Sequence, residues 1–139
     1  MGKILLAVDG MAGSKAVLSV YKGLGRGPIS VVLVHVRRPG EAAEPIMDFC
    51  RREIERCGPA VVKALVREGV PAEEILTTAR EEEVDLIVIG RTGKSDRFET
   101  IVGRITKEVE RAATVPVIVA KTGGREKSIM NGWRGTYAA

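Results

Sequence analysis

The amino-acid sequence predicts an α/β fold built on a doubly wound, five-stranded parallel sheet. Short apolar runs alternate with longer amphipathic stretches along the first 121 residues, which is the pattern of repeated βαβ units. Several runs are apolar at nearly every position, as expected for strands covered on both faces. Because the connections are short and crossovers between parallel strands are right-handed, we expect one domain with helices on both sides of its sheet.

Five runs have the length and composition of strands. The first, second and fourth are almost wholly apolar, so we expect them at the centre of the sheet, whereas Lys63 and Arg67 mark the third as an edge. The fifth is short and apolar, and it forms the other edge. The predicted strands cover residues 3–8, 30–36, 61–67, 85–89 and 117–120.

Four stretches between these runs carry one apolar stripe each, with apolar residues three or four positions apart. In the third stretch, Pro71 suits the first helical turn, and Glu73 and Glu74 lie near the positive end of the helix dipole. The predicted helices cover residues 14–24, 45–57, 71–82 and 103–113. The element order is therefore βαβαβαβαβ.

A glycine pattern follows the fourth strand. Gly90 ends the apolar run, and Gly93 and Gly103 follow it. Glycine lets the backbone turn sharply and approach an anion, and the first turn of a helix adds unpaired N–H donors. The pattern predicts a phosphate site, although a plain strand-to-helix turn would also use glycines here. A Walker A loop is excluded, because that motif requires glycine where this chain has Val88.

The glycine spacing resembles the nucleotide-binding signature of the universal stress protein family, and the likeness covers residues 3–121. Residues 3–10 resemble that family's first strand with its terminal aspartate, and residues 115–119 resemble its last strand. The resemblance implies strand order 3-2-1-4-5. One position departs from the pattern: Arg104 stands where the nucleotide-binding members carry Ser or Thr.

The resemblance also implies an adenine-nucleotide site. In the implied order the chain reverses between the first and fourth strands, and ligands of such sheets bind beyond the carboxyl ends at that reversal. The cofactor is expected to be ATP, or ADP or AMP, with Mg²⁺ held by the phosphates. Residues implied to lie along the adenosine are Ala7, Val8, Asp9 and Val36. Those expected around the phosphates are Gly90, Arg91, Gly93, Gly103, Ile105 and Thr106, together with Arg104, which departs from the family pattern.

Two of these residues have a second interpretation. Asp9 precedes Gly10, and in the alternative interpretation its only role is to form a turn. Arg104 falls in the first turn of the predicted fourth helix, where the dipole disfavours a cation, so a nearby anion such as a polyphosphate is expected. A loose surface pair with Glu108 or Asp96 is the alternative.

Composition narrows the choice of partners and compartment. The net charge is +4, but residues 121–139 hold four cations against one anion, which leaves +1 on the rest and argues against a nucleic-acid surface. We expect neither a membrane span nor a signal peptide, and hence a cytoplasmic protein. His35, Cys50 and Cys57 make no credible metal site, and no nucleophile–base pair identifies a catalytic residue.

Three functions remain open from the sequence. The first is a universal stress protein domain at residues 1–122 that binds an adenine nucleotide, forms a homodimer through its last strand and regulates an unknown client protein. The second is a nucleotide-free dimeric adaptor, and the third a slow ATPase. Residues 123–139, which contain Trp133, are expected to be either a disordered tail or a docking arm.

Overall fold

The computed structural model describes residues 2–24, 29–91 and 96–121. Strands and helices alternate in the predicted order. They are β1 (Lys3–Ala7), α1 (Met11–Gly23), β2 (Ile29–Val36), α2 (Glu44–Arg56), β3 (Ala60–Arg67), α3 (Pro71–Glu81), β4 (Leu86–Arg91), α4 (Asp96–Ala112) and β5 (Val117–Lys121). Within these described ranges, every helix is too short or too polar to cross a membrane.

The five strands form one parallel sheet in the order β3-β2-β1-β4-β5, which confirms the predicted fold. β1 lies at the centre, where Leu6 is opposite Leu33 on one side and Val88 on the other. β3 and β5 are the edges. The chain leaves β1 toward β2 on one side and returns to β4 on the other, so the carboxyl ends of β1 and β4 flank the reversal point.

Both faces of the sheet are covered, which explains the continuous apolar runs. Successive residues of a strand point to opposite faces. Leu6 therefore packs in a cluster with residues of α1 and α2, and Leu5 packs in a second cluster with residues of α3 and α4. Both leucine side chains are completely buried. The helices thus divide in pairs between the two faces.

The start of α4 differs from the prediction. The helix begins at Asp96, not at Gly103. In the sequence, Ile101, Ile105 and Val109 continue one apolar stripe at intervals of four, and a single glycine inside a helix costs only about 1 kcal/mol, so Gly103 does not interrupt it. Arg104 and Thr106 consequently lie in the body of the helix, and the prediction that they belong to its first turn is wrong.

Candidate functional site

A cavity of about 440 Å³ opens at the carboxyl edge of the sheet, within the size range of small-molecule sites. The ends of β1, β2 and β4 form its floor, and the segments that follow β1, β2 and β3 form its walls. Its lining consists of Ala7, Val8, Asp9, Gly13, Val34, Val36, Arg37, Arg38, Pro39, Glu68, Gly69, Pro71, Ile75, Ile89, Gly90 and Ile105.

The cavity lies at the reversal point of the sheet. Asp9 follows β1 and Gly90 belongs to β4, and both line the cavity although they are far apart in the sequence. Parallel pairing causes this meeting, because Ala7 of β1 is in register with Ile89 of β4. The next residues of each strand then end at the same edge.

Gly90 is constrained by packing against α1. A Cβ atom at Gly90 would lie 2.9 Å from the carbonyl oxygen of Gly13 and 3.2 Å from Cγ2 of Val17. These contacts leave no room for a side chain. α1 itself starts after Gly10, which has a φ of 67°, a conformation that favours glycine. Both glycines therefore have structural reasons that do not involve a ligand.

The backbone of Val36 faces the cavity. The N–H of Val8 donates to the carbonyl of Val34 at 2.9 Å, and the N–H of Arg37 donates to the carbonyl of Arg67 at 2.9 Å. Polar backbone groups alternate in direction along a strand, so those of Val36 point to the β1 side, as those of Val34 do. Since β1 ends at Ala7, Val36 presents its N–H and C=O at the edge where the cavity opens.

Two ion pairs lie on the rim of the cavity. Arg38 Nη2 is 3.4 Å from Asp9 Oδ2, and Arg37 Nε donates to Glu68 Oε2 at 2.8 Å. The hydrogen bond to Glu68 raises the pKa of the Arg37 guanidinium. Both arginines belong to the β2–α2 loop. The partner of Arg38 follows β1, and the partner of Arg37 follows β3. The loop thus reaches both walls of the cavity.

His35 lies beside the cavity on the α1/α2 face of β2, with only 2% of its surface exposed. Its Nδ1 is 2.8 Å from the Val8 carbonyl oxygen, and its Nε2 is 3.1 Å from Glu41 Oε1. The same Glu41 oxygen accepts the N–H of Arg38 at 3.0 Å. That backbone hydrogen bond, followed by the one from His35, lowers the pKa of the Glu41 carboxyl.

Asp9, His35 and Glu41 bring potential metal-binding atoms within 4.8 Å of one another. The guanidinium of Arg38, however, already pairs with Asp9 and with Glu41, in each case at 3.4 Å. A cation is therefore supplied by the chain itself. We assign these side chains to an ion-pair network and not to a metal centre.

The remaining predicted site residues fall into three groups. Ile105 lines the cavity from α4. Arg91 ends β4, Gly103 lies inside α4, and Arg104 is exposed on that helix. Thr106 is 3% exposed, and its Oγ1 finds no hydrogen-bond partner among the described residues. Gly93 lies outside the described residues, as do Trp133 and the rest of the predicted tail.

Sequence reasoning missed the loops after β2 and β3. Arg37, Arg38, Pro39, Glu68 and Gly69 line the cavity, yet no motif marks them. The rule that pointed to Asp9, namely that ligands bind beyond the carboxyl ends of parallel strands, applies equally to the ends of β2 and β3. Extending it to those ends would have found these residues.

Comparison with known proteins identifies the family. The sequence model of the universal stress protein family matches residues 1–121. A universal stress protein of Methanocaldococcus jannaschii, MJ0577, is 36% identical over 81 residues, which is 58% of this chain and 49% of that protein. Alignments to the first curated relatives thus span about half of their length or less.

Solved structures show the same fold. The MJ0577 structure has a TM-score of 0.76 at 27% identity and covers 89% of this chain and 98% of that one. A universal stress protein of Arabidopsis thaliana with AMP bound has a TM-score of 0.66 at 16% identity, with 89% and 94% covered. One from Archaeoglobus fulgidus in complex with dAMP has a TM-score of 0.60 at 24% identity, with 87% and 98% covered. Because the family model matches most of its length, this chain belongs to the universal stress protein family.

Proposed function

We propose that the cavity binds an adenine nucleotide and that the chain acts as a cytoplasmic, nucleotide-responsive regulator. The observation that carries the proposal is the meeting of Asp9, Val36 and Gly90 at one cavity at the reversal point of the sheet. Family members with the same fold hold AMP and dAMP. Those ligands belong to those proteins, and they agree in class with the nucleotide proposed here.

In this proposal each wall of the cavity contacts a different part of the nucleotide. Val36 offers a backbone donor and acceptor, which suit the edge of an adenine ring, and the apolar side chains of Val34 and Ile75 suit its faces. Ala7, Val8 and Asp9 lie along the adenosine in this proposal, and Asp9 accepts the ribose hydroxyls. The phosphates extend toward residues 90–106, where Arg91, Arg104 and Thr106 stay proposed contacts.

The ion pair between Asp9 and Arg38 is compatible with this assignment. The Asp9 side chain is 49% exposed and the Arg38 side chain is 59% exposed, and an exposed pair contributes only about 0–1 kcal/mol. Two ribose hydroxyl donors can therefore replace Arg38 at little cost. The released guanidinium stays beside the cavity, where it is available to a phosphate.

The proposed ligand is ATP, ADP or AMP, with Mg²⁺ held by the phosphates where a polyphosphate binds. The lining contributes two carboxylates, Asp9 and Glu68, and no serine, threonine, cysteine or histidine. Among these described lining residues neither carboxylate has a histidine or lysine beside it in the lining to form a nucleophile–base pair, and we propose a binding role in preference to hydrolysis.

Calorimetry with AMP, ADP, ATP and adenosine tests the proposal. We expect wild-type protein to bind at least one of the nucleotides, and Asp9→Asn to weaken that binding about tenfold through loss of a charged acceptor. Asp48→Asn changes an exposed aspartate of α2 and serves as the matched control with wild-type affinity. No heat from any of the four compounds at millimolar concentration would instead support the nucleotide-free adaptor.

A further inference from the structure

The hydrogen bonds of His35 define where its protons lie. The ring is buried, and Nδ1 is 2.8 Å from the carbonyl oxygen of Val8. A carbonyl oxygen only accepts, so Nδ1 must carry a hydrogen to make this bond. If the ring held a single proton, Nε2 would present a lone pair on its other side.

Nε2 does not face a donor. It lies 3.1 Å from Oε1 of Glu41, an oxygen that also accepts the N–H of Arg38. The carboxylate of Glu41 is thereby held in its ionised form, and an ionised carboxylate only accepts. A lone pair on Nε2 would repel it. The contact is favourable only when Nε2 also carries a hydrogen, which makes the buried ring an imidazolium.

The neighbouring charges balance this buried cation. Glu41 and Asp9 are the ion-pair partners of the ring among the described residues, the latter with Oδ1 at 4.0 Å from Nδ1. Arg38 pairs in turn with both carboxylates. From β3, the residue in register with His35 is the uncharged Val66. Two cations and two anions therefore alternate around a closed network, which offsets the cost of burying charge.

We propose that His35 is a positioning residue of the cavity, which holds the β2–α2 loop against the end of β1 only while its ring carries both protons. The ring joins Val8 to Glu41, and Glu41 orients Arg38 through its backbone and its guanidinium. Val8, Asp9 and Arg38 all line the cavity, whereas His35 does not. Loss of the Nε2 proton breaks the tie to Glu41 and frees this wall.

The protonation state can be tested without any ligand. The chain has one histidine, so ¹⁵N NMR of the imidazole yields two signals that belong to His35 alone. At pH 7 we expect both nitrogens to be protonated in the wild type. In Glu41→Gln the new amide donates to Nε2, so we expect Nε2 to lose its proton. Glu53→Gln, in a glutamate of α2 that pairs with Lys22, should retain the wild-type signals. A singly protonated ring in wild type at pH 7 overturns the proposal.

The effect on binding rests on the proposed function and uses AMP as the probe. We expect wild-type affinity to be about tenfold lower than at pH 7 once NMR shows that the ring has lost its second proton, the equivalent of one charge-assisted hydrogen bond. Glu41→Gln removes the repulsive partner, so its affinity should not fall between the same two pH values. Identical pH profiles for the two proteins overturn the positioning role. If AMP binds neither protein at any pH, the nucleotide function fails, and the NMR result still decides whether His35 ties the loop.

Discussion

At the scale of single residues, the contact between Gly13 and Gly90 predicts opposite effects for two similar substitutions. Gly90→Ala would place Cβ 2.9 Å from the Gly13 carbonyl oxygen, and overpacking of this kind costs about 1–3 kcal/mol of unfolding free energy. Gly13→Ala adds a Cβ with nothing within 4 Å and removes a glycine from α1, which should stabilise the protein by about 0.5–1 kcal/mol. Urea unfolding measures both values. Equal effects of the two substitutions would contradict the packing argument.

The buried hydroxyl of Thr106 leads to a second prediction. Its Oγ1 has no partner among the described residues, so the isosteric Thr106→Val should raise the unfolding free energy by about 1 kcal/mol. Thr78 is the matched control, because it is equally buried and its Oγ1 donates to the Glu74 carbonyl at 2.7 Å. Thr78→Val should lower the unfolding free energy by about 0.5–1 kcal/mol. If Thr106 contacts phosphate as proposed, ATP affinity should fall in the more stable variant, and an unchanged affinity would remove that contact.

The site residues divide into those that sequence can and cannot reveal. Asp9 and Gly90 directly follow or end apolar runs, so topology alone brings them together. His35 and Glu41 meet because the β2–α2 loop folds back over the end of β2. Loops lack the hydrophobic periodicity that predicts helices and strands, so the sequence does not predict this contact. His35 sits in an apolar run where the sequence indicates only packing. Its charge partners become visible only in three dimensions.

At the scale of elements, β5 is an edge strand whose outer side is unpaired among the described residues and can pair with a second copy. The N–H of Ile87 donates to the carbonyl of Pro116 at 3.0 Å, so Ile118 and Ala120 direct their backbone groups to β4 and Val119 directs its own outward. We propose a homodimer through this edge. Val119→Pro removes the outward donor and should give a monomer by sedimentation, whereas Val119→Ala keeps the donor and should remain a dimer. A monomeric wild type at tens of micromolar would contradict the pairing.

The element pattern was predictable because the sheet is buried on both faces. Apolar runs such as that of β4 can be recognised without knowledge of tertiary contacts. The predicted start of α4 is wrong because the prediction takes Gly103 as the first residue of the helix. Its intrinsic cost of about 1 kcal/mol is small, and the tertiary packing of the helix, which buries Val109 completely, outweighs such local preferences.

At the scale of the whole molecule, ligand binding should be visible as added stability. A nucleotide that binds only the folded state, supplied at a hundred times its Kd, adds about 2.7 kcal/mol. The thermal unfolding temperature should therefore rise by several degrees with the nucleotide, and by about half as much in Asp9→Asn at the same concentration, because tenfold weaker binding leaves about 1.4 kcal/mol. A shift of equal size in that variant would show that the ligand binds elsewhere.

The charge network also predicts the response of the fold to acid. The lowered pKa of Glu41 means that its ionised form is favoured by folding. Its stabilisation is complete above the pKa of the unfolded chain, about 4.3, and is lost as the pH falls through the lower folded value. Urea unfolding between pH 6 and 3 should show a smaller loss of stability for Glu41→Gln than for wild type. Parallel curves would place Glu41 outside the acid response.

The nine elements of the described residues lie within residues 3–121, and the domain boundary at residue 122 stays a prediction. A chain that ends at Thr122 should unfold at the same urea concentration as the full chain and bind the same nucleotide. Circular dichroism and calorimetry check the two properties separately. A truncated chain that fails to fold would show that residues 123–139 belong to the domain.

The close approach of α1 to β4 means that retention of Gly90 in related proteins is not by itself a sign of nucleotide binding. Because the Gly13 carbonyl occupies the space of a side chain at Gly90, selection for folding alone retains glycine at that position. A descendant that lost its nucleotide would keep Gly90 for as long as α1 kept its place. Asp9 has a weaker constraint, since its side chain is half exposed and its ion-pair partners are an exposed arginine and, at 4.0 Å, His35. Among related proteins, substitution of Asp9 is therefore a better indicator of a lost ligand than substitution of Gly90.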